Sequence, residues 1–171
     1  MSDSSPWSKK SINANIVALI SLIVIGTVII LYRAINWMLY LPLYFLFWAL
    51  YFTVGGYFSC RHCDNLGKPC PSWNKGIIAG KLFKRSDKKS FMEIPRWQFI
   101  LLDGLFFIIA MFAPYSVFLI ALMDPVKNLT IIDDILFFLY LAVDLITIYL
   151  HSKGCKKCTM YDCPLNKAGK K

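Results

Sequence analysis

Six cysteines fall into two boxes of one form. Cys60-Arg-His-Cys63 is followed by Cys70-Pro71, and Cys155-Lys-Lys-Cys158 is followed by Cys163-Pro164. Six residues separate the second cysteine from the third in the first box, and four in the second. An asparagine comes shortly after each box, Asn74 and Asn166. Two soft ligands two residues apart, with a third close by, are what a thiolate-bound metal or cluster requires. A proline after the third cysteine biases that cysteine toward extended backbone. Its thiol then sits in a loop that can fold back toward the C-x2-C pair.

Three chemistries fit this pattern. Zinc would take His151, Cys155, Cys158 and Cys163 as one imidazole and three thiolates, or Cys60, Cys63, Cys155 and Cys158 across the boxes. An iron–sulfur cluster would take the three thiolates of each box and an open or borrowed fourth ligand. The C-x2-C…C-P run resembles a fragment of the bacterial ferredoxin pattern, with a different middle spacing and one cysteine fewer per box. Dithiol exchange is the third, although no thioredoxin-like βαβ pattern accompanies it. The nearby cations Arg61, Lys68, Lys153, Lys156 and Lys157 are expected to lower the thiol pKa values.

The elements that carry the boxes are apolar. The 171-residue chain is 57% hydrophobic and only 17% charged, against about 25% charged in an ordinary soluble domain. Four segments reach the roughly 20 residues a bilayer-spanning helix needs: residues 11–32, 34–59, 97–123 and 129–150. The reading is an all-α, polytopic membrane protein with four transmembrane helices in two hairpins. It divides into a tail (1–10), a first hairpin (11–59), a loop with the first cysteine box (60–96), a second hairpin (97–150) and a tail with the second box (151–171). The first span reads as a retained signal anchor. Seventeen of the nineteen Lys and Arg residues fall in the N-terminal tail, the middle loop and the C-terminal tail. Basic residues collect on the cytoplasmic side, so both termini and both boxes are expected to face the cytoplasm from the cell membrane. Topology and attraction to anionic lipid account for the net charge of +9, so no nucleic-acid partner is expected. The lipid bilayer is the expected partner, together with a cytoplasmic redox or membrane-complex partner. Asn128-Leu-Thr130 reads as a chance match to a glycosylation acceptor.

The halves resemble each other. The first, second and third cysteines of the two boxes are 95, 95 and 93 residues apart. Two spans per half make this a parallel repeat about an axis along the membrane normal, which would let the boxes face one another. In the second segment Trp37, Tyr40, Tyr44, Trp48 and Tyr51 share one face, read as lipid contact and helix packing. Residues 77–85 read as a short helix in the headgroup region, with Ile78 and Leu82 on one face and Lys81, Lys84 and Arg85 opposite. Pro42 and Pro114 interrupt their segments. Asp103 and Asp144 are intramembrane carboxylates, each six residues from a cytoplasmic span end and so about 9 Å deep. At one depth the two would meet beneath the boxes.

These features point to a cytoplasm-facing site for zinc or an iron–sulfur cluster, in a redox subunit or a metal-stabilised membrane anchor. The alternative is a small metal-ion or proton-coupled transporter with Asp103 and Asp144 in its pathway. The sequence has no nucleophile–base pair, no phosphate-binding glycine loop, and no mid-membrane histidine for haem.

Overall fold

The computed structural model describes residues 7–34, 36–86, 103–123 and 130–158. Cys163, Asn166, Asn128, the start of the third apolar segment (97–102) and most of both tails lie outside the described residues. Among the described residues the chain is all-helical. It forms α1 (Lys9–Arg33), α2 (Trp37–Ser59), a 3-10 turn (Cys60–His62), α3 (Lys75–Leu82), α4 (Leu105–Met123) and α5 (Ile131–Cys155). Three of these are long and apolar enough to cross a membrane: α1, α2 with its 3-10 extension, and α4.

Local signals set the helix ends. The Ser8 side chain accepts a hydrogen bond from the Ser11 N–H at the start of α1, as an N-cap should. Ala34 turns extended and ends the helix. Thr130 opens α5, and its N–H donates to the Asp133 carboxylate at 2.7 Å. Pro42 and Pro114 both lie inside continuous helices. The Pro114 ring borders α1 at Gly26, where a Cβ would stand 3.0 Å from Pro114 Cγ and 3.1 Å from Tyr44 Cζ. Only glycine lets α1, α2 and α4 approach so closely there.

The apolar faces do not all point inward. On α1, Leu22, Ile29 and Ile30 are buried while Val17, Ile20, Val24 and Val28 are exposed. Each side of the helix is apolar, one against protein and one outward, as a bilayer solvent allows. On α2, Tyr44, Trp48 and Tyr51 turn into the core, meeting edge to face at 6.1–6.3 Å between centroids. Trp37 stays exposed. The aromatic stripe read from the sequence is therefore mainly a packing seam between α2 and the other helices.

Helix pairing departs from two separate hairpins. α1 runs antiparallel along most of α5, α2 packs extensively along α4, and α1 also meets α4. The consecutive pair α4 and α5 touch little. Two contacts fasten α1 to α5. At one end Arg33 forms an ion pair with Asp133, which is only 1% exposed. At the other, Trp7 Nε1 donates to the Gly154 carbonyl at 3.0 Å. The second end carries both C-x2-C pairs.

Candidate thiolate metal centre

Both C-x2-C pairs adopt the same turn. The Cys63 N–H donates to the Cys60 carbonyl, and the Cys158 N–H to the Cys155 carbonyl, each at 3.0 Å. The first follows α2 through the 3-10 turn, and the second closes the last turn of α5. After Cys63 the chain makes a tight turn through Gly67, whose φ is +78°, and Gly67 N–H then donates to the Gly76 carbonyl at the start of α3. A second turn runs from Cys70 to Asn74. Asn74 closes it twice, its Oδ1 accepting from Cys70 N–H and its own N–H donating to the Cys70 carbonyl, both at 3.2 Å. The asparagine after the first box thus has a structural task.

These turns carry the first box across to the second. Pro71 packs on Gly154, where a Cβ would stand 2.9 Å from Pro71 Cγ and closer still to its Cβ. Cys70 joins Trp7 and Ile12 in a small buried cluster, against which Cys158 packs. Asn65 lies between the boxes: its N–H donates to Cys63 Sγ at 3.4 Å and its side-chain amide reaches Cys158 Sγ at 4.0 Å. The Gly76 N–H donates to Cys70 Sγ at 3.4 Å. Backbone N–H groups aimed at sulfur stabilise thiolate over thiol, so the loop supplies two such donors to the first box.

Below the sulfurs lies an aromatic floor that the sequence did not reveal. Trp73 has a left-handed φ of 51°, unfavourable for so bulky a residue. Its indole is clamped between Phe107 of α4 and His151 of α5, with centroids 5.1 and 4.8 Å away and ring planes within 23°. His151 in turn stands 3.5 Å from Cys155 Sγ through Nε2. Stacking on both faces holds the strained residue and locks the loop to two helices.

Burial governs the site's proton chemistry. The Cys63 thiol is pushed up to about 12 by desolvation, against which the Asn65 N–H works. Cys70 is also raised by burial, with the Gly76 and Ser72 backbone and Lys75 pulling the other way. For Cys63 and Cys70 this corrects the expectation that surrounding cations lower the pKa: Lys68, Lys153, Lys156 and Lys157 are exposed, and burial outweighs them. Thiols so protonated are poor nucleophiles, which weighs against disulfide exchange.

The two carboxylates do not meet. Asp103 pairs with Lys75 of α3, at the cysteine end. Asp144 accepts from the Tyr115 hydroxyl at 3.1 Å. Tyr115 is twelve residues beyond Asp103 on the α4 strand of the bundle, about 18 Å along a helix axis. The equal depths read from the sequence assumed a span ending at Leu150. α5 instead continues to Cys155, which sinks Asp144 deeper from the cysteine end, while Asp103 stands two residues before α4 begins. In α3 the buried face is Lys75, Gly76 and Ala79, packed on Gly56 of α2, with Ile78 and Leu82 left exposed.

Among the described residues no group of three or more His, Cys, Asp or Glu side chains is arranged to hold a metal ion. Cys60, Cys63 and Cys70 are free thiols. No protein-family model, curated protein or solved structure matches the chain.

Proposed function

We propose that this is a four-span membrane protein whose two cysteine boxes together bind one thiolate-ligated metal, zinc or an iron–sulfur cluster, on the cytoplasmic side. The metal would pin the ends of the two halves and present a centre to a cytoplasmic redox or membrane-complex partner. The observation that carries this reading is that Cys158 packs on the small cluster containing Cys70, 88 residues away in sequence, while the Asn65 amide reaches Cys158 Sγ from the first box. Cys60, Cys63, Cys70, Cys155, Cys158 and His151 are the candidate ligands on the described residues, and Cys163 completes the set from the sequence.

α5 supports the fourth span. It matches α1 in length, 25 residues each, and lies antiparallel to it. Its acidic residues are accommodated: Asp133 by Arg33, Asp144 by Tyr115, and Asp134 exposed at the far end. Both termini then lie with the boxes on the side richest in Lys and Arg, the cytoplasmic side. The transporter alternative draws less support, because Asp103 is neutralised by Lys75 and stands far from Asp144.

Elemental analysis and an absorbance spectrum of protein purified without oxygen test the reading. The expected result is stoichiometric metal that is lost in Cys63→Ser and Cys158→Ser alike. Unchanged metal content across single Cys→Ser variants in both boxes would refute it.

A further inference from the structure

Lys75 is 2% exposed, an unusual position for a residue that normally keeps its ammonium in water. It is the first residue of α3, and its side chain runs beneath the loop toward α2 and α4. The ammonium pairs with Asp103 and stands 3.7 Å from the Tyr51 ring centroid. Gly55 makes the space, since a Cβ there would lie 2.9 Å from Lys75 Nζ. A buried ion pair of this kind is seldom needed for stability alone, because a well-packed apolar pair usually serves as well. Its surroundings supply another reason. The Gly55 carbonyl accepts from the Ser59 hydroxyl at 2.5 Å, and that hydroxyl lies 3.7 Å from Cys60 Sγ. The residue after Lys75, Gly76, donates its N–H to Cys70 Sγ. Tyr51, under the ammonium, also packs edge to face on Trp73 at 5.8 Å. Lys75 thus touches, through one intermediary each, the supports of Cys60, Cys70 and the aromatic floor.

Resting on the metal reading above, we propose that Lys75 is the counter-cation of the thiolate centre: a positioning residue whose fixed buried charge offsets the negative charge of thiolate ligation, with Asp103 moderating it. A divalent ion held by four thiolates carries two net negative charges, and by three thiolates and an imidazole one. Placing such a complex in a water-poor pocket is costly unless a cation stands nearby. Lys75 is the buried cation on the described residues of this end.

The test is Co(II) binding to the purified full chain in detergent, followed by the thiolate-to-cobalt absorption band and by competition with a chelator. Lys75→Met should weaken Co(II) binding about tenfold or more, as expected for one lost charge at an effective protein dielectric. Asp103→Asn, which leaves the ammonium to the sulfurs alone, should tighten it. Lys75→Met/Asp103→Asn removes both charges, so its thermal stability should return toward wild type while Co(II) affinity stays weak. A merely structural pair would instead restore affinity along with stability. Wild-type Co(II) affinity in the double variant, or unchanged or weaker binding in Asp103→Asn, overturns the inference while leaving the metal reading intact. A wild-type protein with no thiolate–cobalt band overturns both.

Discussion

Gly154 is where the two boxes touch, so adding one methyl there probes whether their contact makes the centre. In Gly154→Ala the new Cβ would stand 2.9 Å from Pro71 Cγ and nearer to its Cβ, where carbon pairs prefer about 3.5–4.0 Å. The Cys70–Asn74 turn must retreat by at least about 0.6 Å to restore ordinary contact. Pro71 is bonded to Cys70, so the shift passes directly to that sulfur. Metal–ligand distances are held to within about 0.2 Å, and disturbing the shell around such ligands typically costs about 10–100-fold in affinity. Fold stability should change less. Overpacking costs about 1–3 kcal/mol, and replacing a helical glycine by alanine returns up to about 1 kcal/mol. Metal content after gel filtration against a chelator, beside a thermal melt, separates the two effects. Gly104→Ala is the control, because a Cβ there meets nothing within 4 Å. Gly154→Ala with wild-type metal retention and a wild-type melt would show that the boxes do not act through this contact.

Two further outcomes follow from the geometry. Arg33→Met leaves Asp133 buried without its cation and should cost about 3–5 kcal/mol, with most of it recovered in Arg33→Met/Asp133→Asn; unfolding in mixed micelles measures both, and equal losses in single and double variants would refute the coupling. In intact cells an impermeant maleimide should leave Cys70 unlabelled until the membrane is opened and the protein unfolded, and strong labelling from outside would overturn the orientation.

The features legible in the sequence were those that depend on runs and short spacings. The helices α1, α2 and α4 announce themselves by apolar length, the C-x2-C pairs by spacing, and α3 by a four-residue apolar step. Arg33–Asp133, Lys75–Asp103 and the Phe107–Trp73–His151 stack were not legible. Each joins residues from 28 to 100 positions apart, and nothing local marks a lysine or a tryptophan as buried. Lys75 read as one more cytoplasmic charge, because eight neighbours of the same type in that loop are bland. Gly55 and Gly56 were the available hint: paired glycines at the end of an aromatic helix mark a place where another chain segment comes close. The thiol pKa values went the wrong way for a related reason, since sequence lists neighbouring charges but not which way a sulfur faces.

The order of helix contacts bears on why the two boxes should share one centre. The most extensive packing sets α5 on α1 and α2 on α4, with α1 also meeting α4 and α2. Exchanging the halves turns α1 into α4 and α2 into α5. The α1–α5 contact then becomes the α4–α2 contact, and the central α1–α4 contact maps onto itself. A parallel duplication, as proposed from the cysteine spacing, would give this exchange of contacts. α2 and α5 share no extensive contact, so helix ends alone do not join the boxes. What closes the gap is the one element without a described counterpart in the second half: the loop from Cys63 through Trp73 into α3, which crosses the bundle end to seat Pro71 on Gly154. On the proposed metal reading, this crossing loop would join the half-sites of the two boxes into a single composite one. The buried Lys75 belongs to that crossing loop, so the charge that would balance a thiolate centre came with the element that completes it.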